Sequence, residues 1–184
     1  MKKIALTVTA LLVAASSFAQ GLLNFSTAVP GSIDAFVTYE ATGERVGSMF
    51  YGQLLAGPAD AADDALQPIG VPQPFRDSPA AALGHIVAGT VTVPDVAAGS
   101  VAKVRLVAWH SDLGDSWEEA VAASLGGIGQ SDIIEVTLGG GIPPLPPANL
   151  TGLEGFTIET LVPEPTIAAL GLLGAGLLLF RRKK

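Results

Sequence analysis

The chain has 184 residues, no cysteine and a formal net charge of −7. Lacking cysteine, it has no disulfide, no thiol nucleophile and no thiolate metal site, so its stability must come from burial. Between its two apolar ends only four bases (Arg45, Arg76, Lys103, Arg105) face sixteen acids, a balance that repels phosphates and argues against nucleic acid as a partner.

At the N-terminus Lys2 and Lys3 precede an apolar run over 4–15, and Ser17-Phe18-Ala19 puts small residues where a signal peptidase reads them. A signal peptide over 1–19 is expected, cut between Ala19 and Gln20. The mean hydropathy of +0.49 is raised by this run and by a second one at the other end. What remains, residues 20–161, is one ordinary domain, large enough for a proper core.

Short strands separated by Gly, Pro and Asp are expected through this domain. The first covers 22–26 and the second 33–39. A third covers 46–55, with Met49, Tyr51 and Gln53 on one face and Phe50 and Leu54 on the other. Residues 55–64 are rich in Ala, Gly and Asp and suggest a loop or one helical turn. Pro72 and Pro74 confine any strand over 70–75 to an edge. A strand over 85–93 places Val87, Val91 and Val93 opposite Thr90 and Thr92, and 94–100 turns the chain. Over 101–110, Val104, Leu106 and Ala108 alternate with Lys103, Arg105 and Val107, the pattern of a half-buried strand. A helix is expected over 116–125, capped by Ser116, with Glu118 and Glu119 in its first turn. Strands over 131–138 and 156–161 follow, separated by a Gly/Pro segment. Seven or eight short strands, regular turn signals and one short helix predict an all-β fold, an antiparallel β-sandwich of immunoglobulin-like or jelly-roll-like type.

The chain closes with Val162-Pro163-Glu164-Pro165-Thr166, an uncharged run over 167–180, and Arg181-Arg182-Lys183-Lys184. As a helix, residues 167–180 span about 21 Å at 1.5 Å per residue, short of a hydrocarbon core of about 30 Å. Starting at Pro165 and letting Arg181 and Arg182 snorkel, the transmembrane helix just crosses. Gly171 and Ala175 have a spacing that lets another helix approach. The basic stop stays in the cytoplasm by the positive-inside rule, which leaves the domain outside it.

This tail resembles the PEP-CTERM sorting signal: a Val-Pro-Glu-Pro-Thr motif over Val162 to Thr166, a short Gly- and Leu-rich helix, and the basic end Arg181, Arg182, Lys183 and Lys184. The resemblance covers the tail alone. It implies recognition by an exosortase, a membrane-embedded transpeptidase-like enzyme of Gram-negative bacteria. It also implies an inner-membrane intermediate, cleavage near Pro163-Glu164-Pro165, and delivery to the cell surface or extracellular matrix, in association with exopolysaccharide. The middle domain resembles only other exported proteins with this tail, and that likeness carries no function.

Chemistry in the domain is sparser. His110-Ser111-Asp112 has the residue types of a hydrolase triad, but neighbours at a strand end do not converge on one atom, and no Gly-x-Ser-x-Gly elbow is present. Asp60, Asp63 and Asp64, and separately Asp112 and Asp115, suggest either calcium ligands or turn formers. Trp109, Trp117 and Tyr51 suit either sugar stacking or core packing. A pocket joining His85 or His110 to a carboxylate and a serine would point to a hydrolase. Glu118 and Glu119 are helix neighbours that point apart. The sequons at Asn24 and Asn149 carry no weight in a bacterium. The expectation is therefore a surface or matrix protein, not an enzyme, with no catalytic residues, no metal and no cofactor. Its partners would be signal peptidase, the exosortase-like enzyme and the membrane. The alternative is a module that binds polysaccharide or calcium.

Overall fold

Alternating apolar residues do form strands. The computed structural model describes residues 20–123 and 126–161, and it is mostly β with one short helix among them. Outside the described residues lie Ala19 and the rest of the expected signal peptide, the motif Val162 to Thr166, the expected transmembrane helix 167–180, and Arg181, Arg182, Lys183 and Lys184. Among the described residues no helix is long and apolar enough to cross a membrane.

In chain order the strands are β1 (Gln20–Ser26), β2 (Ala28–Val29), β3 (Ile33–Asp34), β4 (Val37–Tyr39), β5 (Phe50–Pro58), β6 (Gln67–Pro74), β7 (Val87–Ala97) and β8 (Val101–His110). The helix α1 (Trp117–Ala123) and strands β9 (Ile128–Gln130), β10 (Ile134–Thr137), β11 (Ala148–Asn149) and β12 (Phe156–Ile158) follow. One sheet runs β10-β8-β5-β6, with β9 also on β8, and a second runs β11-β1-β7. Two small pairs, β2-β3 and β4-β12, complete the set. The edge position expected for the Pro-bearing strand holds, since β6 pairs with β5 alone.

Pairing is not antiparallel throughout, as the sequence had suggested. β1 with β11 and β4 with β12 are parallel. Alternation along a strand says which face is buried and nothing about a partner's direction, and both parallel partners return from far along the chain.

Several expected strands are redistributed. The run over 33–39 is two strands, because Ala35 N–H bonds Thr27 O while Val37 N–H bonds Gly84 O, so the backbone changes partner midway. Residues 46–49 are not in β5, since Phe50 N–H closes a turn on Gly47 O; at its other end β5 runs on into the expected loop, to Pro58. The expected turn after Val93 comes later, at 98–100, and β7 first runs on to Ala97 through a bulge. Gly21 faces Val93 but Gln20 faces Ala97, and Asp95 takes φ 60°, a region that non-glycine residues rarely occupy. The bulge turns both Val93 and Val96 inward, whereas Val87 is exposed, against expectation. The last strand is shorter than expected, ending at Ile158.

The core explains why these strands hold together. Leu23 and Phe25 of β1, Val93 and Val96 of β7, Leu54 and Ala56 of β5, and Val104, Leu106 and Ala108 of β8 belong to one buried cluster. A second cluster uses the other side of β8 and β5: Leu55, Leu66, Val107, Trp109 and Ala120. Val107 is therefore buried and not outward-facing, and Lys103 and Arg105 are only half-exposed.

The described chain enters and leaves at opposite ends of β8. Near its start, Leu22 exchanges both backbone bonds with Gly139, and Leu138 does the same with the 99–100 turn that leads into Val101. Near its finish, His110 N–H bonds Gly127 O, and Gly127 N–H bonds Glu159 O. Thr160 N–H and hydroxyl both donate to Glu40, and Leu161 N–H donates to the Tyr39 hydroxyl at 3.0 Å. A ten-residue strand spans about 33 Å, which sets the scale of the separation.

Candidate functional site

A cavity with convergent polar groups lies beside His85. One wall is the β2–β3 hairpin, closed where Ser32 N–H bonds Val29 O and Gly31 takes φ 75°. The opposite wall is the segment after Arg76, including the 3-10 turn Ala80–Ala82, with Val87 at the rim. The cavity between them is about 520 Å³ and is lined by mostly aliphatic side chains, with Asp34, Arg76 and His85 as the ionisable ones.

Backbone geometry places His85. Gly84 takes φ 78°, and a Cβ there would press on the Val37 carbonyl, so only glycine fits. Its N–H bonds Val46 O and its carbonyl receives Val37 N–H, which pins the chain against β4. His85 itself is 3% exposed. Its Nε2 lies 3.2 Å from Asp34 Oδ1, and its Nδ1 lies 3.4 Å from Thr27 Oγ1. The ring meets Phe36 edge-on at 6.4 Å, and the Arg45 guanidinium lies over the far ring at 4.1 Å. Burial holds the His85 pKa below its ordinary value; the Asp34 carboxylate opposes that shift and the Arg45 charge reinforces it. The neutral ring donates from Nε2 to Asp34 and accepts at Nδ1.

A hydroxyl, an imidazole and a carboxylate in a row invite comparison with a hydrolase triad. The order of exposure is reversed. The Thr27 hydroxyl is fully buried and already accepts Ile86 N–H at 3.0 Å, whereas the Asp34 side chain is 76% exposed. A nucleophile must reach substrate and its acid partner should be sheltered, so this row positions a hairpin and does not attack an acyl group. His85 was legible as a candidate from sequence. Thr27, Asp34 and Arg76 were not, because residues far apart along the chain meet there only through the fold.

The other candidates do not converge. His110 Nδ1 accepts Asp112 N–H at 3.2 Å, so in that state it has no proton to share with the Asp112 carboxylate 3.5 Å away. The ring packs edge-on against Phe50 and caps the turn Ser111–Leu113. Asp63 is held by Lys103 Nζ at 3.1 Å, and the same ammonium bonds Ala61 O, which ties the acidic loop down over β8. Among the described residues no three carboxylates or histidines are grouped to hold a metal ion. Tyr51, Trp109 and Trp117 are consecutive ring neighbours at 6.1 Å each, but the middle ring is fully buried and its Nε1–H is satisfied by Gly114 O. Glu119 accepts Asp115 N–H while Ser116 Oγ accepts Glu119 N–H, a reciprocal cap on α1, and Glu118 is exposed. The two sequon asparagines bond each other across β1 and β11 at 2.8 Å. Gln20, the residue expected to follow the signal cleavage, is the exposed first residue of β1.

Comparison with known proteins gives no family model, no curated protein and no solved structure that matches this chain.

Proposed function

We propose that the chain is an exported, non-enzymatic protein of the cell surface or extracellular matrix, delivered through its C-terminal tail, with a β-sandwich as its body. The observation that carries this reading is the tail itself: Val162-Pro163-Glu164-Pro165-Thr166, an uncharged run and four terminal bases, in that order. Two sheets feeding one apolar cluster support the sandwich. The spent hydroxyl at Thr27 and the capping geometry at His110 support a role without catalysis. Burial of Trp109 weakens the polysaccharide-stacking alternative, and the dispersed carboxylates weaken the calcium one. Exosortase-like recognition would act just beyond Leu161, the last of the described residues.

The test is fractionation of the native host with mass spectrometry of the mature termini. The mature protein should begin at Gln20 and lack residues 167–184. Replacing Pro163, Glu164 and Pro165 by alanine should leave export intact and trap the full-length chain in the inner membrane. Processing of that variant at the wild-type level would sink the sorting reading.

A further inference from the structure

We propose that the groove beside His85 binds an anionic amphiphile, an aliphatic carboxylate whose head meets Arg76 and whose chain lies along the walls of Val29, Pro30, Ile33, Pro79 and Ala81. The proposal is independent of where the tail sends the protein.

Charge identifies the head group. Of the four bases in the described domain, Arg45 lies over Phe36, Lys103 holds Asp63 and Arg105 holds Gln130. Arg76 alone has no side-chain partner among the described residues, and it lines the groove. Asp34 lines the same groove, but its carboxylate already accepts from His85 Nε2, which leaves the Arg76 guanidinium as the groove's charged donor without a partner. A guanidinium in that state pairs best with a planar carboxylate, through two parallel hydrogen bonds.

Charge also explains why a simple anion does not suffice. The domain carries sixteen acids against four bases, and that field opposes any anion approaching a single arginine. An apolar body must supply the rest. The walls offer it: the lining is aliphatic on both sides, and a volume of about 520 Å³ falls in the range of small-molecule pockets. Each methylene buried should tighten binding roughly fourfold. His85 fixes the floor, because its bond to Asp34 holds the β2–β3 hairpin open at a set distance from the 3-10 turn.

The experiment uses the full chain in nanodiscs of neutral lipid. Decanoate bearing a terminal diazirine is photolysed with the protein, and labelled peptides are mapped by mass spectrometry, which separates the groove from lipid-facing segments. Label is expected within 28–34 and 79–87. Arg76 is exposed, so Arg76→Ala keeps the fold, and it should cut groove labelling roughly tenfold or more, as loss of a hydrogen bond to a charged group does. The matching decanol probe should label the groove as weakly in wild type as decanoate does in Arg76→Ala. Arg76→Lys should restore part of the signal, and Ala81→Trp, which fills the groove, should remove it. Equal labelling by the acid and the alcohol, or wild-type labelling of Arg76→Ala, overturns the proposal. So does label confined to residues outside the groove.

Discussion

The two sides of β8 are held in different ways. One side packs Val104, Leu106 and Ala108 into a cluster shared by both larger sheets, built mainly from strand residues. The other side packs Val107 and Trp109 under a seven-residue helix and the loop that carries Ala61 and Leu66. The first is secured by many strands at once. The second is secured by a lid, and the lid hangs on a few polar contacts: Ser116 and Glu119 at the start of α1, Trp109 Nε1 on Gly114, and Lys103 on Ala61 and Asp63. A core made by sheets should fail globally, and one made by a lid should open locally.

Three measurements would break or sharpen that contrast. The largest effect is expected at Leu106→Ala. The residue is fully buried at the centre of the shared cluster, so the change should cost about 2–5 kcal/mol in denaturant unfolding. Arg105→Ala, one residue along on the half-exposed face, should cost far less. Equal costs would mean that the register of β8 is wrong.

A smaller effect is expected at the lid. Ser116→Ala removes an N-cap and should cost about 1 kcal/mol. Hydrogen exchange should show it as lost protection confined to α1 and its flanks, with β8 and β5 unaffected. Loss spread evenly over both sheets would show that the lid is not a separate unit.

The subtlest effect is a slope. His85 is buried neutral, with its pKa held below the ordinary value of 6.5 chiefly by burial. Unfolding therefore takes up a proton once pH drops below about 6.5. The stabilisation is complete above that value and is lost as pH falls through the lower folded-state pKa. His85→Gln, which can still donate to Asp34 but does not titrate, should flatten stability between pH 7 and 5. A slope that survives the substitution would assign it to other groups.

The same contrast explains what was legible in the sequence. Val101–His110 was readable to the residue, because its alternation serves a face buried by other strands. The opposite face misled, since Val107 looked solvent-facing. Nothing local reveals that a distant loop and a helix will cover it. The 33–39 run failed for a related reason: its composition favours strand throughout, yet Thr27 and Gly84 take its backbone bonds in turn and split it. At the groove, His85 stood out by residue type alone. Its partners did not, because Thr27, Asp34 and Arg76 have no shared spacing and are united only by the hairpin folding back. The tail is a different case: its sorting-signal reading rests on linear order alone, and its residues lie outside those described.

The placement of Gln20 and Leu161 at opposite ends of β8 has a mechanical consequence. A chain gripped by both of these ends is loaded lengthwise. Tension at Gln20 draws β1 along its own axis between β7 and β11, and tension at Leu161 draws β12 along β4. Both are shear geometries, in which several backbone bonds must rupture together. Peeling a strand from an edge breaks them one at a time. The pair β2–β3 links the two loaded strands, following β1 after Thr27 and leading into β4 through Phe36, so strain on the body would reach the walls of the groove.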